Sequence, residues 1–313
     1  MMMQIRPLTL DDVDGWATLL AAAFDRTPAQ MVALLHHFYG ERQLVAWGAW
    51  DGQRLAAQYS CLLTPLRLPG WDTPQLVGMS MNMAVHSDYR GRGLIKQVAQ
   101  PVYAEVVERG GIAGVGFSNE AGVQVDRKSK GYGYKVVGKM VSLLGVVGRK
   151  RPFSTPIPIT HTPTWPDGLQ VVERKETAVS FAHTPESLHH RFAQHPFRSY
   201  RYGVAANGAG VVIYRPFVWH GVGGASLLTA YGQDVAGLIG SWINSLAQQR
   251  IRLVHLLTSP QSTLQQAVKS HCYTLALSRP QNPHYLTAKP LAAPLPPWFF
   301  DLSRWDCCGG DIL

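Results

Sequence analysis

The chain has 313 residues, of which 46% are hydrophobic, and carries a formal net charge of +9 at pH 7. That length and apolar content exclude a disordered or fibrous chain and leave room for two domains with separate cores. Four cysteines, two of them adjacent (Cys307, Cys308), form neither a disulfide framework nor a zinc-ligand pattern. The expectation is a cytoplasmic protein without a metal. No stretch reads as a membrane span or a secretory signal, since Met1-Met2-Met3-Gln4 runs straight into the first strand. The positive charge suits a ligand with several phosphates, and it equally suits RNA, an anionic surface or a plain solvated face.

In chain order, Gln4–Asp12 reads as an opening strand and turn, with Thr9 and Asp12 at capping-box spacing. Val13, Trp16, Leu20 and Phe24 mark one face of a helix, and Pro28–Tyr39 predicts a second with proline in its first turn. Strands follow at Leu44–Trp50, Leu55–Leu63 and Leu76–Val85, the first two joined at Asp51-Gly52. A helix reaches about Arg109 with Leu94, Val98, Val102 and Val106 on its apolar face, and Pro101 is expected to kink it. Strand Ile112–Phe117 leads into a helix opened by Ser118-Asn119-Glu120 and ending near Gly131-Tyr132.

Five prolines between Pro152 and Pro166 read as an extended linker. Beyond them the β–α alternation repeats. Strands are expected at Val171–Arg174, Ala178–Phe181, Tyr200–Ala206, Gly210–Phe217 and Ala225–Tyr231, with a helix at Pro185–Gln194. Helix Val235–Gln249, strand Ile251–Leu257, helix Pro260–Ser270 and strand Cys272–Leu277 complete the series. The expected domains are 1–150, a linker over 151–166, and 167–313 with an aromatic tail carrying Trp298, Phe299 and Trp305.

The most informative stretch is Met83-Ala84-Val85-His86-Ser87-Asp88-Tyr89-Arg90-Gly91-Arg92-Gly93-Leu94-Ile95. A strand ends, two glycines flank an arginine, and a helix begins. Glycine lets backbone N–H groups approach a ligand, the first turn of a helix leaves donors unpaired, and its dipole favours an anion. Arg90 and Arg92 add fixed positive charge. Those residues describe a pyrophosphate pocket; the same pattern is also that of an ordinary glycine-rich turn.

Arg90-Gly91-Arg92-Gly93 resembles the Arg/Gln-x-x-Gly-x-Gly/Ala loop of the GNAT acyltransferases, with Ile95 where the family has Gly or Ala. The element order from Gln4 to Tyr132 is similar to the family order, and the second half resembles a degenerate tandem copy. The resemblance implies an α/β (α+β) protein with two GNAT-like domains, each a mixed, mostly antiparallel sheet flanked by helices. It implies acetyl-CoA as acyl donor, an N-acetyltransferase activity, and an amine acceptor that is a small molecule or an amino sugar. It places CoA on Met83, Ala84, Val85, Arg90, Gly91, Arg92, Gly93, Leu94, Ile95 and Asn119, with a backbone N–H near Met83–Val85 polarising the thioester carbonyl. The tyrosine the family uses as general acid is missing: Asp126 stands at that position. His86, Asn82 and Ser118 are the candidates left for proton transfer, and His86 reads first as a turn histidine bonded locally. In the second half Gly232-Gln233-Asp234 replaces the glycine loop, so that half should not hold CoA. His190–Pro196, followed by Tyr200, and the Trp298–Asp301 tail also resemble segments of tandem members. A Fem-type aminoacyl-tRNA-dependent ligase and a non-catalytic acyl-CoA-binding regulator are the alternatives. Nucleic acid is not an expected partner, and the oligomeric state is open.

Overall fold

The computed structural model describes residues 3–39, 43–128, 133–148, 156–169, 177–206, 208, 210–278 and 283–312, with backbone alone over 125–128. The expected strand Val171–Arg174 and the pair Gly131-Tyr132 lie outside these residues. The chain forms two compact units. One comprises residues 1–66, 73–138 and 284–300, and the other residues 67–72, 139–283 and 301–313. The chain passes between the units at 66/67, 72/73, 138/139, 283/284 and 300/301.

In the first unit β1 (Gln4–Pro7) leads through a short 3-10 turn into α1 (Val13–Phe24) and α2 (Pro28–Tyr39). The Thr9–Asp12 capping box forms, and Arg6 clamps the Asp12 carboxylate at 2.8 and 2.7 Å. That guanidinium lowers the Asp12 pKa. Phe24, expected on the buried face of α1, is instead exposed at its last position, where Asp25 turns left-handed and ends the helix. Strands β2 (Leu44–Asp51), β3 (Arg54–Arg67) and β4 (Gln75–Val85) form an antiparallel meander. Helix α3 (Leu94–Glu108) crosses to β5 (Gly111–Ser118), which runs parallel to β4, and α4 (Glu120–Lys128) follows. Helix α3 runs unbroken through Pro101. Proline there removes only the bond to the carbonyl of the exposed residue Gln97, a group that water can serve.

The core of this unit is the face of β2–β5 covered by α3, with Val98, Ala99, Val102 and Val106 fully buried. It also holds a hydroxyl cluster: Tyr59 Oη lies 2.9 Å from Ser80 Oγ, 3.3 Å from Tyr134 Oη and 3.4 Å from Tyr103 Oη. Buried hydroxyls that satisfy one another avoid the cost of unpaired polar groups. Glycines make room for the rings: a Cβ on Gly114 would stand 2.3 Å from Tyr134 Oη.

Strands β6 (Lys135–Lys139) and β7 (Val141–Val146) follow in sequence, but they join different sheets. In the second unit β8 (Ile159–Thr162) forms within the stretch read as a linker, between prolines on either side. Its place at the sheet edge explains why flanking prolines are tolerated. The short strand β9 (Ser180–Phe181) precedes α5 (Pro185–Leu188), which continues as a π-helical turn to Ala193. Then come β10 (Arg201–Ala205), β11 (Gly210–Trp219), β12 (Val222–Gly232), α6 (Val235–Gln248), β13 (Leu253–Thr258), α7 (Thr263–His271) and β14 (Tyr273–Ala276). These build a seven-stranded sheet of order β14-β7-β13-β12-β11-β10-β8. Trp242 of α6 is fully buried on it, against Gly203. The last strand, β15 (Tyr285–Pro290), returns to the first unit, whose order is β1-β2-β3-β4-β5-β15-β6.

Each unit is thus a mixed, mostly antiparallel sheet flanked by helices, with one β–α–β crossover between parallel neighbours. Gly114→Ala should overpack the tyrosine cluster and lower stability by about 1–3 kcal/mol. A denaturant midpoint unchanged from the parent would contradict that packing.

Candidate active site

The crossover β4–α3–β5 contains an opening. The parallel pairing of β4 with β5 runs only from Leu76–Gly111 to Ser80–Gly116. Past Ser80, β4 stays with β3, and there the register slips: Gln58 faces Ala84 while Ser60 faces Met81. The extra residue is on β4, a bulge that includes Asn82 at φ 43°. Asparagine tolerates this left-handed backbone better than other non-glycine residues. A bulge bends its strand and leaves one residue out of the ladder. Past Gly116, β5 is held by β15, which pairs with it through Ser118. The two strand ends therefore part, with Asn82–Val85 on one side and Phe117–Ser118 on the other.

The β4 side of this opening leads directly into the glycine loop. His86 caps a 3-10 turn over Ser87–Tyr89, and Gly91 and Gly93 then adopt φ 78° and 70°. Space around both glycines is open: a Cβ would meet nothing within 4 Å. Gly93 is the N-cap of α3 and supplies no side-chain bond to the first-turn amides. Arg90 and Arg92 are exposed beside it. Uncapped donors, a fifteen-residue dipole and two guanidinium groups fit a pyrophosphate.

Side chains brace the loop from beneath. The Tyr89 hydroxyl donates to Asp51 Oδ2 at 2.8 Å, which raises the tyrosine pKa. Arg92 lies over the Tyr89 ring at 4.9 Å and donates to the Asp88 carbonyl at 3.0 Å. Ser87 Oγ donates to Asp88, lowering its pKa, and Arg54 pairs with the same carboxylate at 3.1 Å. His86 is held in this turn. Its Nε2 is 2.8 Å from Arg54 Nη2, and its Nδ1 is 3.3 Å from the Asp88 amide nitrogen. One ring nitrogen is thus engaged by β3 and the other by the turn. On the β5 side, Asn119 Oδ1 accepts from the Gly122 amide at 2.9 Å and starts α4, and the Tyr285 hydroxyl donates to Glu120 at 2.7 Å. The side chain at Asp126 is outside the described residues.

The second unit repeats the crossover as β12–α6–β13, and its strands part as well, the parallel pairing ending at Leu227–Leu256. Here the gap is filled. Cys308 bridges to Thr258, and a Cβ on Gly310 would stand 2.9 Å from Thr229 Cβ and 3.0 Å from the Leu228 carbonyl. Asp311, fully buried, pairs with His183 at 2.9 Å and accepts the Cys308 amide. At the start of α6, Asp234 Oδ1 accepts the Gly237 amide at 2.9 Å, so an acid occupies the anion position. Among the described residues, tail and cap occupy the places that the opening and the uncapped helix start hold in the first unit. Sequence reading found Asp234 but not the tail: nothing in Cys307-Cys308-Gly309-Gly310-Asp311 marks a plug, except two glycines small enough to enter between strands.

The segment His189–Tyr202 lines a separate cavity of about 630 Å3 in the second unit, with Trp165, Phe192, Arg198, Tyr200 and Arg201 in its wall. Two arginines and no carboxylate in that wall suit an anion, not an amine. Among the described residues there is no group of His, Cys, Asp and Glu able to hold a metal, and no helix long and apolar enough to cross a membrane.

Residues 4–134, the stretch containing α3 and its glycine loop, match the family model for the acetyltransferase (GNAT) domain. This part of the chain is similar to a GNAT domain. No curated protein sequence matches the chain. Among solved structures, a GCN5-related N-acetyltransferase from Anabaena variabilis superposes with a TM-score of 0.65 at 12% identity, over 93% of this chain and 73% of that one. Eis1 from Mycobacterium abscessus gives 0.64 at 16% identity, over 91% and 73%. A tandem GNAT protein from the clavulanic acid biosynthesis pathway gives 0.51 at 12% identity, over 94% of this chain and all of that one. The likeness extends over both units, so the second unit shares the tandem GNAT fold.

The bulge makes a local demand that can be tested. Asn82→Gly should be tolerated, whereas Asn82→Val should cost about 1–2 kcal/mol in thermal or denaturant unfolding, because a β-branched residue resists φ near 43°. Equal stability of both variants would contradict the bulge geometry.

Proposed function

We propose that the protein is an acetyl-CoA-dependent N-acyltransferase whose acceptor is the amine of a small molecule or an amino sugar. One observation carries the reading: the open parting of β4 from β5 leads into a braced glycine loop at an uncapped helix N-terminus. Amides of Gly91–Ile95 and the side chains of Arg90 and Arg92 would hold the pyrophosphate. The acyl arm would lie between the parted strands, with Asn119 at the far rim. A backbone N–H in the bulged segment Met83–Val85, fixed before reaction, would polarise the carbonyl as negative charge develops on it. The amine nitrogen forms the new bond to carbon, the carbon–sulfur bond breaks, and overall one proton passes from nitrogen to sulfur.

The chain offers unusual groups for that proton. His86 is tied to Arg54 and the Asp88 amide, which favours its role as a loop brace. Ser118 on β5 and Asn82 on β4 stand at the two rims, and the Ser118 hydroxyl can donate to the thiolate and be replenished by water. Four buried free cysteines fit a reducing, cytoplasmic setting.

The test is amine-dependent release of free CoA thiol from acetyl-CoA across a panel of alkylamines and amino sugars, with the N-acetyl product identified by mass. Gly93→Asp puts a carboxylate at the phosphate position and should weaken CoA binding by about 100-fold in calorimetry. Tight CoA binding without turnover on any amine would assign the regulator role instead. Transfer that requires aminoacyl-tRNA would assign the ligase role.

A further inference from the structure

One end of the second sheet carries a patch that acyl transfer does not use. Register aligns Tyr273 of β14, Val146 of β7, Leu253 of β13, Gly224 of β12 and Phe217 of β11 in one transverse row. At about 4.8 Å per strand the row spans roughly 20 Å. Beyond it projects the β11–β12 hairpin. His220 and Gly221 take φ 47° and 78°, a two-residue turn that sets Trp219 opposite Val222. The tip is apolar and open to solvent: Val218 is 75% exposed, Trp219 52% and Val222 39%. Tyr273 at the other end of the row is 60% exposed. A soluble surface seldom carries such a set together.

Cations border the patch, and the acids Asp234, Asp306 and Asp311 lie away from it. The Arg252 amide donates to the Gly223 carbonyl, next to the hairpin tip, and its side chain is exposed, as is that of Arg250. Asp234 follows the opposite end of β12, and Asp306 and Asp311 lie beyond the opposite end of β13. The sequence has no Asp or Glu between Glu186 and Asp234, and residues 139–283 hold fourteen Lys and Arg against five Asp and Glu.

We propose that this sheet end docks on an anionic lipid bilayer, with the Trp219 hairpin tip entering the headgroup layer and Arg250 and Arg252 lying against lipid phosphates. A rigid turn presents tryptophan between aliphatic side chains, which suits the interface between water and hydrocarbon. Nucleic acid would call for stacking rings in a basic groove; here one indole stands on a convex tip flanked by valines. The arginines supply the attraction to anionic headgroups. The proposal is independent of the acyltransferase reading.

Flotation with phosphatidylcholine vesicles, with and without phosphatidylglycerol, tests it on the full chain. The protein should float with the anionic vesicles and not with the neutral ones. Trp219→Ser should reduce that binding by about tenfold, and Arg252→Gln by about fivefold, with added salt acting in the same direction. Both variants should keep the parent's thermal midpoint and CoA affinity, since both side chains are exposed and belong to the unit without the glycine loop. Binding to both vesicle types alike, binding to neither, or binding unchanged by Trp219→Ser would overturn the proposal. A dimer in sedimentation that Trp219→Ser dissolves, without flotation, would also overturn it and give the surface to a second copy of the chain.

Discussion

The parting of two parallel strands governs what each unit can hold. A parallel pair buried in a sheet gains most by staying paired along its length. In the first unit that gain is given up after Ser80–Gly116, because the bulge at Asn82 keeps β4 with β3 while β15 takes the other edge of β5. Neither strand end is left without a partner, so the opening costs few hydrogen bonds. Ser80, the last β4 residue paired with β5, belongs to the hydroxyl cluster with Tyr59, Tyr103 and Tyr134, a fixed polar group in an otherwise apolar core.

The same crossover in the second unit has the opposite outcome. The tail from Cys308 to Asp311 enters between β12 and β13, and Asp234 caps the helix whose counterpart, α3, is uncapped. A polar tail is accepted there because it is satisfied: Asp311 takes His183 and the Cys308 amide, and the Ser259 hydroxyl donates to the Trp305 carbonyl. One architecture thus serves once as an open cleft and once as a filled core. The difference rests on one acid, two glycines and a segment distant in sequence.

That pattern explains what could be read from the residues. The glycine loop was legible because Gly91, Gly93 and the run Leu94, Val98, Val102, Val106 are local signals with a fixed spacing. Element order through α4 was legible for the same reason. The fate of β7 and β15 was not. Leu286, Thr287 and Ala288 are all buried, so β15 shows no alternation, and its partner β5 lies well over a hundred residues away. Strand β8 was hidden by prolines that an edge position tolerates. Asn82 carried no sign of a bulge, since a single asparagine in an apolar run is equally consistent with a rim residue pointing to solvent. Long-range pairing decided each of these, and local propensity says little about it.

The central claim is that the β4–β5 opening, and not its filled counterpart, receives the acyl donor. Amide hydrogen exchange with and without CoA tests this most directly. The account predicts slowed exchange over residues 83–95 and 117–119, with residues 227–237 and 256–258 unchanged. Protection confined to the second unit, or none in the glycine loop at saturating CoA, would contradict it.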